Sequence, residues 1–576
     1  MRQALPSLLF SAVLLLTTGC ATHEAVSKTP EPARPAIPSM DVSELASANF
    51  SPEVMYQLLV AEVAGQRGQV GVAVANYLAA ARASQDAQVA ERAARISIYA
   101  QALQQATEGA ELWVELAPND AEAREVLAPL LLTFGRAAEA VAHYQRYIEL
   151  SADKPDQGFL QIAGQLGRAK SPLAALSVMD TLVATQTQNP YAWLGHSELT
   201  LRQAKLDTAM ASVNKTLGLK PHWAPAIVVR ARILALQGDR AGAIKYLESE
   251  RDGGLKNDVT VGLSYARLLT ENKQLKKARA EFERLAEREP RNAEAHYAAG
   301  VLALQLNDLG KAELHLKRVL RLRQRQLESH YYLGRVYELK NEPDQALKHY
   351  FAVRHGDYYI SAQTHAANLM SNQGKLDQAL EHIRSLRVSN NQEQVRLYLV
   401  EGELLRNAGK YELALAFFTE KLETMPNDTA LRYARALVAE KANKLDIAES
   451  DLREIIEREP SNAQALNALG YTLADRTERL EEALGYIERA LKVDPADAAI
   501  IDSMGWVQFR MGNHSEAVAL LRKALSLIKD PEIAAHLSEV LWEMGNKKDA
   551  LNVLEAALEA HPKHKTLMDA MKRLGL

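Results

Sequence analysis

Two stretches of the chain, "HYAAGVLALQLNDLGKAELHLKRVL" (296–320) and "HYYLGRVYELKNEPDQALKHYFAVR" (330–354), can be laid over each other at a shift of 34 residues. Gly300 then matches Gly334, and Ala312 matches Ala346. The same frame extends over most of the chain, in steps of 33, 34 or 35 residues. Fifteen alanines occupy the matching position: Ala73, Ala106, Ala140, Ala175, Ala209, Ala243, Ala278, Ala312, Ala346, Ala379, Ala414, Ala448, Ala483, Ala517 and Ala550. The chain is therefore an array of repeats.

Three further positions keep the same register. A small residue lies about twelve residues before many of the alanines, for example at Ala61, Ala94, Ala128, Ala231, Gly300, Gly334, Gly402, Gly470 and Gly505. Seven residues after that position, ten repeats have Gly or Asn, which tolerate the left-handed conformation that ends a helix. Proline falls twelve residues after the alanine at Pro118, Pro221, Pro290, Pro426, Pro460, Pro495 and Pro562, where it stops a second helix.

This register predicts two antiparallel helices in each repeat, joined by a short turn. The small residue on the first helix and the alanine on the second allow the two backbones to approach closely. A large apolar residue four positions after the alanine fills the space beside them, as at Tyr77, Tyr144, Phe282, Tyr350, Phe418 and Leu521. One helix pair cannot bury its apolar face alone, so neighbouring pairs are expected to stack into a solenoid.

The pattern resembles the tetratricopeptide repeat, a 34-residue helix–turn–helix family, over residues 52 to about 562. The resemblance implies an all-α fold, a right-handed superhelix of about fifteen helix pairs over residues 51–562. The closing segment, residues 563–576, is amphipathic and predicts a helix that caps the stack, with Leu567, Met571 and Leu574 facing inward.

The first nineteen residues predict an export signal. Arg2 gives a positive start, Ala4–Leu16 form a short apolar run, and small residues lead to Cys20, the only cysteine in the chain. This order resembles a bacterial lipoprotein signal, although Thr17 stands where that signal usually has an aliphatic residue. The resemblance implies lipidation of Cys20 and, because Ala21 follows it, a location on the periplasmic face of the outer membrane. Without lipidation, the default interpretation of a lone cysteine is a small buried side chain.

Residues 20–50 then predict a lipidated N-terminus and a linker. Four prolines within "TPEPARPAIP" favour an extended polyproline II conformation that cannot build a core. Beyond residue 19, no apolar run reaches the eighteen or so residues that a spanning helix needs.

The charge balance limits the possible partners. The chain has 68 basic and 72 acidic residues, a formal net charge of −4, so no basic field for nucleic acid or anionic lipid is predicted. The phosphate-cradling, zinc-protease, nucleophile-elbow and paired-cysteine motifs are all missing, and we expect no cofactor, metal or small-molecule substrate.

Three short stretches could suggest chemistry, but each has a simpler interpretation. His561 and His564 in "HPKH" are more consistent with solvated histidines than with metal ligands, and "SADK" (151–154) is a common tetrapeptide in an inter-repeat loop. Glu481 and Glu482 begin a solvated helix. We therefore predict no catalytic residues and no enzyme activity.

A protein-binding surface remains as the main functional prediction. In the tetratricopeptide family the first helices line the concave face, and their outward positions contact ligands. Aromatic residues and arginine, which are enriched in binding hot spots, fall at these positions at Tyr331, Arg335, Tyr433, Tyr471, Trp506, Phe509, Arg510 and Trp542. The competing interpretation is packing between repeats. The lysine–asparagine clamp that some family members use for a terminal carboxylate is not evident, since Asn368 alone has a suitable position.

The layout as a whole, with the opening "FSPEVMYQLLVAEVAGQRGQ" (50–69), resembles the outer-membrane adaptor lipoproteins of pseudomonads. These partner a periplasmic carboxyl-terminal processing protease. The resemblance implies that this chain docks and activates such a serine protease and presents protein substrates, such as cell-wall hydrolases. The alternative is a scaffold lipoprotein for an envelope export machine, a pilus or exopolysaccharide secretion complex. An enzymatic role is the third hypothesis, and no sequence motif supports it.

Overall fold

The computed structural model describes residues 51–151, 155–388, 390–562 and 564–576. The predicted signal peptide (1–19) and the linker that carries Cys20 (20–50) lie outside the described residues. Within them the chain forms 31 α-helices and no strands, and none of these helices is long and apolar enough to cross a bilayer. The helices belong to two compact units, and the chain passes from one to the other between Leu322 and Arg323.

The N-terminal unit contains sixteen helices, in eight consecutive pairs. They are α1 (Pro52–Gln66), α2 (Val70–Ser84), α3 (Ala87–Tyr99), α4 (Leu103–Leu116), α5 (Ala121–Thr133), α6 (Ala137–Leu150), α7 (Pro155–Leu166), α8 (Pro172–Thr185), α9 (Pro190–Arg202), α10 (Leu206–Leu219), α11 (Ala224–Leu236), α12 (Arg240–Asp252), α13 (Val259–Glu271), α14 (Leu275–Arg288), α15 (Ala293–Gln305) and α16 (Leu309–Arg321).

The C-terminal unit contains seven further pairs and a final single helix. They are α17 (Gln326–Leu339), α18 (Pro343–Phe351), α19 (Tyr359–Asn372), α20 (Leu376–Ser385), α21 (Asn391–Asn407), α22 (Tyr411–Thr424), α23 (Thr429–Lys441), α24 (Leu445–Arg458), α25 (Ala463–Arg476), α26 (Leu480–Val493), α27 (Ala498–Arg510), α28 (His514–Leu527), α29 (Pro531–Glu543), α30 (Lys547–Ala560) and α31 (Lys565–Arg573). The predicted fold class, an all-α repeat of about fifteen helix pairs with a capping helix, is confirmed.

The repeated alanines form the centre of each pair. Each of the fifteen lies on the second helix of its pair, and each has no solvent-exposed surface. Because a methyl group is the largest side chain that this contact admits, the two helices can lie close together along their whole length. The alanine position therefore fixes how each pair packs.

The glycines on the first helices show how close the approach is. An added Cβ at Gly402 would lie 2.0 Å from the Phe418 ring, and one at Gly334 would lie 2.4 Å from the Tyr350 ring. Phe418 and Tyr350 are the large residues four positions after the repeat alanine, and both are almost fully buried. The predicted pairing of a small residue with a large one is thus confirmed.

The turns and helix ends also follow the register. All ten predicted Gly and Asn turn residues adopt positive φ, from Gly238 at 93° to Asn341 at 58°. Gln101, Ala204 and Lys273 adopt the same conformation in repeats that lack Gly or Asn, so the stacking of the helices imposes it there. Each of the seven predicted stop prolines lies two residues beyond the end of a second helix.

A polar contact recurs between the two helices of several pairs. It joins the residue sixteen positions before the repeat alanine to the residue three positions after it. The five examples are Arg124–His143 (3.1 Å), His296–His315 (3.0 Å), His330–His349 (3.0 Å), Gln363–His382 (2.9 Å) and Arg432–Asp451 (3.2 Å). Since buried polar groups need partners, this position joins the two helices by a hydrogen bond or ion pair beside the apolar contact.

The capping helix α31 closes the C-terminal end of its unit as the amphipathic pattern predicts. Leu567 and Ala570 are fully buried in a cluster with Ala534, Ala535 and Leu554. Met571 and Leu574 are half-buried against the same cluster. The last helix pair therefore has its apolar surface covered.

We predict that Gly402→Ala destabilises the protein, whereas Gly485→Ala stabilises it. A Cβ at Gly402 would overlap the Phe418 ring, and overpacking of this kind costs ~1–3 kcal/mol. Gly485 is exposed on α26 and has no atom within 4 Å of an added Cβ, so only the helix-propensity gain of ~1 kcal/mol remains. Urea unfolding followed by circular dichroism checks both variants, and equal shifts in the same direction would contradict the packing described here.

Candidate protein-binding face

Within each unit, the side chains that the first helices do not bury against their own second helices form a surface that we call the first-helix face. All eight predicted site residues lie on first helices of the C-terminal unit. Tyr331 and Arg335 lie on α17, Tyr433 on α23, Tyr471 on α25, Trp506, Phe509 and Arg510 on α27, and Trp542 on α29. Whether they contact a partner stays a prediction, but their surroundings are now defined.

Trp506 lies at the centre of a cluster that joins α25, α27 and α29. Its side chain is only 8% exposed. Its indole N–H donates a hydrogen bond to Asp475 Oδ1 (3.2 Å), and its ring stacks on His536, with 4.4 Å between the ring centroids. Phe509 packs at its edge (5.2 Å). Trp506 therefore contributes mainly to packing between repeats.

His536 completes this cluster with two polar contacts. Its Nδ1 lies 3.0 Å from both carboxylate oxygens of Asp502, and its Nε2 lies 3.3 Å from the Tyr471 hydroxyl. Burial is the largest single influence and opposes a charge on the imidazole, but the contact with Asp502 and the nearby Glu539 and Glu532 together raise the pKa of His536. Burial also raises the pKa of the Tyr471 hydroxyl. Three consecutive first helices are thus connected by one hydrogen-bonded group.

Arg510 binds the end of the preceding first helix. Its guanidinium donates to the carbonyl oxygens of Ala474 (2.6 Å) and Asp475 (3.1 Å), near the last residues of α25. A second nitrogen lies 3.2 Å from the Glu478 carboxylate. The last carbonyls of a helix have no partner within it and carry partial negative charge, so a cation is favoured there. Arg510 therefore supplies a cap from one repeat to the next.

Tyr331 belongs to a second aromatic cluster, on α17 and α19. Its ring stacks on Tyr358 at 4.7 Å between centroids, and His365 lies at 6.2 Å. Arg335 Nε lies 3.7 Å from a Glu338 carboxylate oxygen on the same helix. Burial raises the pKa of Tyr331, against the effect of the nearby Arg335 cation. Tyr331 and Arg335 therefore lie close together on α17, whereas Trp506 lies on α27, five helix pairs later in the chain.

Glu338 is the polar centre of this second cluster. It accepts a hydrogen bond of 2.5 Å from the Tyr350 hydroxyl, and His365 Nδ1 lies 3.0 Å away. Burial alone would raise the pKa of Glu338, but the contacts with His365 and Tyr350 more than offset it, and the net shift is downward. Glu338 is thus held as a carboxylate.

Tyr433 occupies a different setting, the wall of an open pocket of about 570 Å³. The pocket lies between α21 and α23 and reaches the start of α25. Burial raises the pKa of the Tyr433 hydroxyl, opposed by the Arg406 cation. The lining is largely apolar with a polar rim: Leu399, Gly402, Glu403, Arg406, Phe418, Thr429, Ala430, Tyr433, Ala434, Leu437, Val438, Glu459, Asn462 and Gln464.

Trp542 is half-buried near the C-terminal end of the first-helix face. The Lys547 ammonium lies 4.9 Å from the centre of its ring, a cation–π contact. Its other neighbours belong to the apolar cluster formed by Leu537 and Leu541. Phe509, which packs on Trp506, contacts the same apolar cluster.

The stretches with possible chemistry have ordinary surroundings in the structure. The rings of His561 and His564 are 6.3 Å apart, and Glu482 forms ion pairs with Arg453 and Arg479. Within the described ranges, no three His, Cys, Asp or Glu side chains converge on a space that could hold a metal ion. Residues 152–154 of "SADK" lie outside the described residues. Asn368, the single candidate for a carboxylate clamp, is half-buried on α19.

Sequence reasoning missed His536, Asp502 and Asp475. A partial signal was available for one pair. Asp502 is fifteen residues before Ala517 and His536 is fourteen residues before Ala550, so the two lie one position apart in the repeat frame on neighbouring first helices. A carboxylate and an imidazole at nearly the same repeat position indicate a contact across a repeat boundary.

Comparison with known proteins decides the family. One tetratricopeptide-repeat family model matches residues 98–155, 266–326, 302–354, 366–427 and 433–499, and a second matches residues 508–574. The chain belongs to the tetratricopeptide repeat family. Residues 51–97 and 156–265 lie outside these ranges and form the same kind of helix pairs in the structure.

The TPR repeat-containing protein PA4667 of Pseudomonas aeruginosa is 33% identical over 540 residues, which cover 92% of this chain and 90% of that protein. The protein CTR9 homolog of Arabidopsis thaliana is 23% identical and matches 64% of this chain but 31% of its own length. Among solved structures, yeast Tom70 is 17% identical, with a TM-score of 0.37, and covers 73% of this chain and 95% of its own. The Cut9–Hcn1 hetero-tetramer of APC/C is 14% identical, with a TM-score of 0.33, and the match covers 92% of this chain and 98% of that chain.

We predict that Asp502→Asn lowers the pKa of His536 and removes stability mainly under acidic conditions. A raised folded-state pKa stabilises the fold fully below the unfolded value of 6.5, and this contribution is lost as pH rises through the folded pKa. The difference in urea unfolding free energy between wild type and variant is therefore larger at pH 5.5 than at pH 8.5. An NMR titration of the imidazole reports the pKa directly.

Asp549→Asn is the matched control, because Asp549 is an exposed carboxylate whose partner is Arg522. It should leave the His536 titration unchanged. A His536 pKa that stays the same in Asp502→Asn would contradict the assignment of the raised pKa to this carboxylate.

Proposed function

We propose that the chain is a lipid-anchored adaptor on the periplasmic face of the outer membrane, which binds and activates a carboxyl-terminal processing serine protease and presents protein substrates to it. Cell-wall hydrolases are the proposed substrate class. The proposal has two parts, a protein-binding scaffold and a fixed location, and each has separate support.

The scaffold part rests on the fold and on one observation, the open pocket beside Tyr433. Tetratricopeptide repeats are suited to protein–protein interaction, and most of the aromatic residues of the first-helix face are engaged with each other. Between α21 and α23 the face instead carries small side chains, with Ala430 exposed and Ala434 half-buried. A pocket of about 570 Å³ with an apolar lining and a polar rim has the size and character of a site for a bulky apolar side chain.

The protease part rests on resemblance. The opening segment 50–69 and the uninterrupted repeats resemble the pseudomonad adaptor lipoproteins, and a relative with 33% identity over most of both chains comes from Pseudomonas aeruginosa. The location part rests on the order of charge, apolar run and small residues before Cys20, and on the absence of any other cysteine.

We predict that the purified chain accelerates cleavage of a cell-wall hydrolase by the processing protease of the same organism, and that Ala430→Arg abolishes most of this effect. Ala430 is exposed at the edge of the pocket, so arginine there blocks entry without disturbing the core. The expected change is a fall of at least tenfold in the stimulated rate, roughly the loss of one central hot spot, ~1.4 kcal/mol or more.

Leu413→Arg is the control, since Leu413 is 60% exposed on the second helix α22 and is not among the residues that line the pocket. It should stimulate cleavage like the wild type. No stimulation by the wild-type chain would reject the adaptor role. Recovery of an outer-membrane pore from detergent-solubilised membranes, in place of a protease, would favour the export-machine scaffold.

Removal of the proposed anchor gives a separate prediction. Cys20→Ala should leave an unlipidated chain that is lost from the outer-membrane fraction but still stimulates the protease in solution. Membrane fractionation with immunoblotting measures the location. An unchanged outer-membrane location in Cys20→Ala would refute lipid anchoring without touching the binding function.

A further inference from the structure

The first helix of the N-terminal unit is apolar on both of its sides. Its inner side buries Val54, Leu58, Ala61 and Ala64 against the rest of the unit. Its outer side exposes Met55 (44%), Tyr56 (67%), Leu59 (62%) and Val63 (45%). A helix that is apolar all round is normally buried, and one that ends a repeat array normally has a polar outer side. The outer side of α1 therefore lacks a covering element within the described residues.

The opposite end of the repeats shows what a covered end looks like. The capping helix α31 buries Leu567 and Ala570, and its exposed residues are Lys565, Lys572, Arg573 and one large apolar residue, Met568 (42%). Helix α1 instead exposes four large apolar residues. The first and last helices of the described residues therefore differ in kind, and α1 has the composition of an interface.

The outer side of α1 is complementary to itself. Tyr56, Leu59 and Val63 form one stripe, because they are spaced three and four residues apart. In an antiparallel pair of α1 helices centred near Leu59, Tyr56 lies opposite Val63 of the partner subunit. Leu59 then lies beside its own copy at the twofold axis. The apolar side chains of one copy thus meet those of the other.

The charges at the two ends of α1 agree with this arrangement. Glu53 and Arg67 are both exposed, one at each end of the helix. At 100° per residue they lie on the same side of the stripe, and in an antiparallel pair residues on the same side meet. Glu53 therefore lies near Arg67 of the partner subunit, twice in the symmetric pair. A parallel pair would instead place the two Glu53 residues at the same end of the interface.

We propose that the chain pairs with a second copy of itself through α1, as an antiparallel, twofold-symmetric helix contact. One helix pair buries less than the roughly 800 Å² per partner of a standard interface, so the dimer is weak and depends on concentration. The proposal needs neither a lipid nor a protease, and its failure would leave the proposed function untouched.

Single-cysteine crosslinking tests the geometry directly, because Cys20 is the only cysteine of the chain. In a Cys20→Ser background, Leu59→Cys places a thiol at the twofold axis and should form a disulfide-linked dimer under mild oxidation. Leu413→Cys is the matched control, since the exposure of Leu413 (60%) equals that of Leu59 (62%) within two percentage points. It should give no dimer. Equal crosslinking of both variants, or none at position 59, would overturn the proposal.

A charge-reversal cycle followed by sedimentation velocity tests the orientation. We expect Glu53→Arg and Arg67→Glu each to weaken dimerisation about three- to tenfold, the size of one or two interfacial ion pairs. The double variant should return to within about twofold of the wild type. Both positions are exposed, so folding is not at risk. A wild-type chain that stays monomeric at ~100 µM, or a double variant as weak as the single variants, would overturn the proposal. So would a monomer that binds phosphatidylethanolamine–phosphatidylglycerol vesicles through Leu59.

Discussion

The close contact between the two helices of each pair is the constraint on which the rest of the structure depends. Fifteen alanines with no exposed surface lie on the second helices. Each allows the first helix of its pair to pack closely, provided that this helix has a small residue at the opposing position. Where that residue is glycine, as at Gly402, even a methyl group would overlap the neighbouring aromatic ring. With this distance fixed, the large residue four positions later packs beside the alanine, and the turn between the two helices has three residues in every pair except α7–α8, where it has five. The outward residues of successive first helices are therefore also set at repeat spacing.

This spacing brings side chains of neighbouring repeats into contact with each other. Asp502 and His536, one repeat apart, form a buried pair, and Arg510 caps the helix of the repeat before its own. Aromatic and charged residues on the first helices are consequently used for packing between repeats as well as being suited to partner binding. Around Trp506 the aromatic and charged groups are used to join repeats, whereas beside Tyr433 small side chains leave an open pocket. The packed side-chain clusters around Tyr331 and Trp506 lie on the helices before and after the pocket, and a preorganised pocket lowers the entropy cost of binding a partner.

The sequence was enough to predict the fold, because close packing selects alanine and glycine at fixed intervals and leaves a visible period. The same periodic pattern correctly predicted the turn residues, the stop prolines and the inward side of α31. The candidate site was only partly predictable. Trp506 and Arg510 have the right residue types for binding, but their hydrogen bonds to Asp475 and Ala474 depend on contacts between repeats that no local pattern reveals. The shortened helices α18 and α20 were likewise missed, since the register of alanines continues through both. The interpretation of Cys20 concerns residues outside those that the structure describes.

The central claim is that partner proteins bind the first-helix face, and site-specific photocrosslinking in cells tests it most directly. A photoreactive phenylalanine analogue replaces Tyr433, in the pocket wall, or Leu413, exposed on a second helix. Our account predicts that the analogue at position 433 captures a discrete periplasmic protein and that the analogue at position 413 captures none. Capture at position 413 together with none at position 433 would contradict it.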